Sequence, residues 1–281
     1  LINLFRLTRP LSNVKNIALI ILAFYLSRAD FNLILFLAGF FSLSFVCSSF
    51  YVYNTLSDYN LDKNDKNKNH YSEAIDYLGR KTSFAIFISL LAGGFIIGFF
   101  VNFNFLFVLA FLALTNFFYS SKKFRFKERV ILDVLFGATL TFLFRFIASW
   151  FIFSISIPPL LVAIALVSAK SAGYLLYKEV DRLFFEASKI KNSITAVKKE
   201  TTIIVSAIFW LVCFLSFFYN FKGYPQYLQT RFLILTPLVV PPLVIVYLSA
   251  LNKIKTKIKY LRIIGFIYWL LVLIIIFKLL W

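Results

Sequence analysis

At 281 residues, 61% of them hydrophobic, and with a mean hydropathy of +0.84, the chain has too little polar surface to cover a soluble globule and is predicted to be an integral membrane protein. Its formal charge of +18 does not point to a nucleic-acid partner. The Lys and Arg sit in short loops between apolar runs, which is the pattern that membrane topology imposes.

Taken in chain order, nine apolar runs are long enough to cross a hydrocarbon core as helices: approximately 13–27, 31–53, 82–101, 103–119, 130–152, 158–177, 202–220, 232–251 and 263–280. None alternates with a two-residue period, and an open sheet would leave backbone groups unsatisfied in lipid, so the fold class is all-α and polytopic. A basic polar turn precedes the first run, which lacks a small-residue cleavage site, and a span is expected there rather than a signal peptide. Pro158 and Pro159 open the sixth run, whereas Pro237, Pro241 and Pro242 interrupt the eighth and predict a kink. The 37 Phe suit packing and lipid-facing positions. Cys47 and Cys213 fall inside apolar runs with no metal-binding spacing and read as small core residues, and the lone His70 reads as part of a surface loop. No soluble domain or linker stands out, so residues 1–281 are expected to form one membrane domain, with no obligatory protein partner evident.

Lys and Arg gather in residues 1–15, 54–81, 120–129, 178–199 and 252–262, while Arg28, Lys222, Arg231 and Lys278 fall in the alternate connections. This asymmetry predicts a multi-pass plasma-membrane protein with a cytoplasmic N-terminus and every long polar loop on that side.

The most informative stretch ends the second run. Asn54, Asp58, Asp62 and Asp65 follow at four- and three-residue steps, which on a helix aligns them along one face. Mg²⁺ is commonly held by one or two carboxylates with positions left for phosphate oxygens, so the pattern reads as a metal-diphosphate site at a membrane surface. The plainer reading is a solvated cap on a membrane helix. It is disfavoured because the acids line one face in a chain with only 12 Asp and Glu.

Arg145 lies deep in the fifth run, where a guanidinium without a partner costs at least about 2.5 kcal/mol, so it is expected to face the bundle and meet either an anion or helix carbonyls. Asp133 in the same run is too far for direct contact, about 18 Å along a helix. Lys170 in the sixth run is a weaker candidate, since lysine snorkels.

The Asn54-x-x-x-Asp58-x-x-x-Asp62 spacing resembles the first aspartate-rich motif of the UbiA superfamily of intramembrane prenyltransferases. Over about residues 5–183 the order of Arg9-Pro10, Lys15-Asn16, Tyr119-Ser120, Lys127, Ile131-Leu132-Asp133-Val134, Arg145 and Lys178 is similar to the branch of decaprenyl-phosphate phosphoribosyltransferases. The resemblance implies a nine-helix bundle around a central cavity and a Mg²⁺-dependent transferase. Asn54, Asp58, Asp62 and Arg145 would be catalytic, and Lys15, Asn16, Tyr119, Ser120, Lys127, Lys178 and Arg182 would hold substrate phosphate. Metal ligands would come from Asn54, Asp58, Asp62 and Asp65, with Glu179 and Asp181 as a second set.

Three departures stand out. Thr55 replaces the Asp that usually follows the Asn. The stretch from His70 to Gly79 lacks the two prolines and the Arg usual after the motif. Glu179 and Asp181 are two apart, so on a helix they diverge, while Lys178 and Arg182 share a face as a phosphate clamp would. Two donors therefore stay open: a polyprenyl diphosphate passing its isoprenoid to an acceptor, or phosphoribosyl diphosphate passing its sugar to a polyprenyl phosphate. A small transporter is a third alternative. It is disfavoured because the acids cluster at one mouth rather than near the midplane.

Overall fold

A computed structural model describes residues 2–65 and 68–221. The last two predicted spans, 232–251 and 263–280, with the prolines of the eighth, lie outside the described residues. Among the described residues all regular structure is helical, and seven helical segments are long and apolar enough to cross a membrane. Contacts divide the chain into two compact units, residues 1–125 with 144–157 and residues 126–143 with those from 158 onward.

In the first unit, α1 (Ile2–Thr8) leads through a 3-10 turn, Pro10–Asn13, into α2 (Val14–Ser27). The long α3 (Leu33–Asn64) follows, then α4 (Asn69–Leu78), α5 (Arg80–Phe99) and α6 (Phe103–Ser120). Asn32 and Asn102 begin α3 and α6 by accepting a backbone N–H three residues on, from Leu35 at 3.1 Å and Phe105 at 2.8 Å. The second span was expected to end near residue 53, yet α3 runs on to Asn64. Most of the polar segment 54–81 is helical, and His70 lies in α4, not in a loop, because Ala74, Ile75 and Ser72 bury one face of that short helix.

Leu43, Val46, Phe105, Leu109 and Leu112 are fully buried between the helices, while Phe99, Phe100 and Phe103 are more than two-thirds exposed, as lipid-facing positions are. Lipid tails are as apolar as leucine, so helix association must rest on close packing and hydrogen bonds. A Cβ on Gly94 would come within 2.7 Å of Val46 and 3.0 Å of the Ser42 carbonyl, and Ser42 donates to the Gly94 carbonyl at 2.7 Å. Asn13 of the 3-10 turn and Asn16 of α2 similarly tie this segment to α3 through Ser48 at 2.9 Å and Ser44 at 3.4 Å. Both cysteines are free and buried, as their apolar surroundings predict.

The helix α7 (Leu132–Phe151) opens in the second unit with a π-helical turn, Leu135–Thr139. Prolines 158 and 159 precede α8 (Leu160–Val180), which is followed by α9 (Arg182–Ala187) and α10 (Lys199–Phe221). Thr139 on α7 meets Ser171 on α8 at 2.9 Å, and Ser206 on α10 donates to the Ala172 carbonyl at 3.1 Å.

Candidate active site

Because α3 remains helical to residue 64, Asn54, Asp58 and Asp62 do rise along one face, at its polar end. Asp62 is buried, and the Oδ1 of Asn54 accepts from Ser120 of α6 at 3.1 Å. Asp65 is not on this ladder. It sits past the helix end with extended backbone, accepts from the Lys68 and Asn69 backbone, and pairs with the Lys68 ammonium at 3.0 Å. The missing member follows from geometry, since a residue that turns the chain cannot also continue the helical face.

One turn deeper on the same face stands Tyr51. Lys15 donates to its hydroxyl at 2.9 Å, the Arg9 guanidinium lies 5.4 Å from its ring centre, and Arg145 is within electrostatic reach of its phenol. Among the described residues no carboxylate pairs with any of these three cations. Arg145 is buried, and the Nε atoms of both Arg9 and Arg145 are buried without a hydrogen-bond partner. Buried cations left unsatisfied are costly, and a bound anion relieves that cost.

Arg9 is held by its surroundings. Its backbone is left-handed, with φ of 49°, which a side chain other than glycine adopts at a cost of about 1 kcal/mol. Its guanidinium donates to the Thr55 hydroxyl at 3.0 Å and stacks 3.6 Å from the Tyr71 ring centre. Thr55 offers a hydroxyl and not a carboxylate, so the cation is anchored without being neutralised.

Asn16 is fully buried in the α2–α3 seam, and its Oδ1 has no hydrogen-bond partner. Tyr119 and Ser120 end α6, with Ser120 on the ladder. Sequence reasoning missed Tyr51, Arg9 as a site residue, and Arg125, whose guanidinium is 3.6 Å from Asp58. Arg125 belongs to the same basic loop as Lys127, so charge pattern could have found it. An uncharged tyrosine inside an apolar run gives no such signal.

The second unit uses its charges differently. Lys127 lies half-buried in a 3-10 turn, Phe126–Glu128. Lys178 pairs with the fully buried Asp133 at 2.9 Å, and Ser193 bonds the same carboxylate through its hydroxyl. The Ser193 oxygen also accepts the Ile131 N–H at 2.8 Å, fixing a β-branched residue at φ of 69°. Lys178 and Arg182 do not share one continuous helix, because α8 ends at Val180 and Asp181 marks the junction. Glu179 spends both oxygens on Arg182, at 2.6 and 2.9 Å, and with Glu186 keeps that guanidinium above its ordinary range against the opposing effect of burial. Lys178 and Arg182 of the sequence-predicted clamp are thus each engaged by a carboxylate, and Glu179 of the second metal set is engaged by Arg182.

The donors on α3 suit Mg²⁺: an amide oxygen and two carboxylates, with no nitrogen or sulfur. Among the described residues no three His, Cys, Asp or Glu side chains gather as a metal-binding group.

The chain is similar along its whole length to solved membrane proteins. A UbiA homolog from Archaeoglobus fulgidus bound to GPP and Mg²⁺ matches with a TM-score of 0.74 at 17% identity, over 98% of this chain and 99% of that one. An apo UbiA homolog from Aeropyrum pernix K1 matches with a TM-score of 0.75 at 12% identity, over 96% and 98%. A structure of digeranylgeranylglyceryl phosphate synthase matches with a TM-score of 0.72 at 16% identity, over 98% of each chain. No curated protein matches the sequence. At these identities the likeness establishes the fold. The sequence itself matches the UbiA prenyltransferase family over residues 16–271, and the chain therefore belongs to that family of intramembrane transferases.

Proposed function

We propose that the protein transfers a polyprenyl group from its diphosphate to an acceptor in the membrane, with Mg²⁺ as cofactor. The observation that carries this reading is the continuity of one helix face: Asn54, Asp58 and Asp62 at its polar end, then Tyr51 ringed by Arg9, Lys15 and Arg145 with no carboxylate among the described residues to neutralise them. Asn54, Asp58 and Asp62 would hold the metal, which supplies neutralisation of the diphosphate when bound. Lys15, Arg145 and Arg9 would take the remaining phosphate charge, which grows as the allylic C–O bond breaks and stays on the leaving diphosphate. Ser120 orients the Asn54 amide, and Arg125 holds Asp58. That the UbiA homologs of Archaeoglobus fulgidus were solved with GPP or DMAPP and Mg²⁺ supports the same donor class.

The phosphoribosyl alternative drew on Lys178 and Arg182 as phosphate ligands. Asp133 and Glu179 are already bonded to these two cations, which supports the polyprenyl donor over the phosphoribosyl one. The test gives detergent-solubilised protein and Mg²⁺ either labelled polyprenyl diphosphate with a panel of acceptors, or labelled phosphoribosyl diphosphate with polyprenyl phosphate. Isoprenoid label on an acceptor is the expected result. Sugar label entering the lipid phase would overturn the reading.

The charge asymmetry supports a plasma-membrane orientation with the N-terminus and the acidic ladder facing the cytoplasm. Glu73→Cys and Lys191→Cys, both at exposed positions, should react with an impermeant thiol reagent from inside, and Asp30→Cys from outside. Glu73→Cys and Asp30→Cys reacting from the same side would refute it.

A further inference from the structure

A cavity in the first unit opens on the side of α3 turned away from the acidic ladder. It has a volume of about 390 Å³ and is lined by Tyr53, Leu56 and Ser57 of α3, Arg80 and Phe84 of α5, and Ser121 and Lys122 beyond α6. The mean direction of its α3 residues lies about 150° around the helix from that of Asn54, Asp58 and Asp62, at 100° per residue. The two sites therefore do not share side chains.

Charge is the first argument. Arg80 and Lys122 are the cavity's ionised groups, no acidic residue lines it, and among the described residues no carboxylate pairs with either cation. The Arg80 guanidinium lies over the Tyr59 ring, 4.5 Å from its centre, which positions it without neutralising it. Hydroxyls from Ser57 and Ser121 complete a lining suited to phosphate oxygens.

Position is the second. Arg80 begins α5 and Ser121 follows α6, so the cavity lies where these antiparallel spans reach the same membrane face. From Arg80, steps of four residues lead to Phe84 and Ile88 on one face of α5, which are 52% and 45% exposed. A cation at the interface followed by apolar side chains at successive turns matches a charged head and a hydrocarbon tail in series. We propose that this cavity binds the phosphate headgroup of an anionic bilayer phospholipid, with an acyl chain lying along Phe84 and Ile88. The proposal is independent of the reaction assigned above.

The purified full-length protein in a neutral detergent would be titrated with a fluorescent phosphatidylglycerol and, separately, a fluorescent phosphatidylcholine. The expected preference for phosphatidylglycerol is about tenfold, from two interfacial cations. Arg80→Gln with Lys122→Gln should bring it close to one, while Arg80→Lys with Lys122→Arg retains most of it. If the doubly neutralised protein is not monodisperse, Lys122→Gln alone, at an exposed position, should lose about threefold. Lys191→Gln with Lys198→Gln, also exposed, should keep the full preference. Three outcomes would overturn the proposal: an undiminished preference in the Gln variants, an equal loss in the remote pair, or displacement of the lipid by millimolar inorganic phosphate, which would make the cavity a simple anion site.

Discussion

Arg145 in the first unit and Lys178 in the second are both buried cations on apolar helices, yet they are treated in opposite ways. Lys178 meets a fully buried carboxylate at 2.9 Å. Arg145 shares a tyrosine with Lys15 and Arg9, and its Nε has no partner. A neutralised buried cation contributes to architecture, whereas an unneutralised one carries a desolvation cost that a bound anion would relieve. The same contrast separates Arg182, forked by Glu179, from Arg9, which rests on a threonine hydroxyl and a tyrosine ring.

The largest expected effect comes from the acids of the α3 ladder, Asp58 and Asp62. Asp58→Asn or Asp62→Asn should lower turnover about 10³-fold in the acceptor assay while the protein still inserts and elutes as a monodisperse species. Full activity in either variant would remove the ladder from the mechanism. In the second unit the cost should fall on stability instead. Asp133→Leu leaves Lys178 buried without its counterion and should lower unfolding stability by about 3 kcal/mol, measured by denaturant titration in detergent. Asp133→Leu combined with Lys178→Met should recover most of that loss, because an apolar pair replaces an ionic one. No recovery would mean that the carboxylate acts through Ser193 and not through the lysine.

Arg145→Gln reverses the pattern. It should cost about 10²-fold in turnover, since in the proposed reaction it removes one cation assigned to the leaving diphosphate, but little in stability, since no ion pair is broken. A variant that unfolds in proportion to its lost activity would place Arg145 with Lys178 as architecture. The smallest effect is expected at Asp76, which is exposed, accepts from the Tyr59 hydroxyl and lies 3.8 Å from Lys63. Asp76→Asn should change turnover less than about twofold, as for a surface ion pair. A loss equal to that at Asp58 would show that bulk negative charge at this mouth matters, and not the ladder.

The helical class and the seven described spans were legible in the sequence because hydropathy alone sets span length. The ladder was legible too, since a four-residue step on a helix has only one geometric meaning. Partners were not. Asp65 continues the spacing but turns the chain, and no periodicity marks where a helix stops unless a cap residue announces it. Lys178 and Arg182 share a face only if α8 continues, but it stops at Val180, and beyond the break Arg182 reaches back to Glu179 and across to the Val197 carbonyl, a contact no local pattern announces. Tyr51 escaped notice because its role depends on Arg9, Lys15 and Arg145, which lie 42, 36 and 94 residues away in sequence. A single chain displays which cations it contains but not which of them have been neutralised.

Isothermal titration of a non-hydrolysable prenyl diphosphate analogue into the full-length protein with Mg²⁺ tests this distinction most directly, using Arg145→Gln and Arg182→Gln side by side. Arg145→Gln should weaken binding about tenfold or more, the loss of one charge-assisted contact, while Arg182→Gln leaves Kd within about twofold. Equal weakening by both, or a larger loss at Arg182, would contradict the claim that the unneutralised cations are the ones that receive the diphosphate.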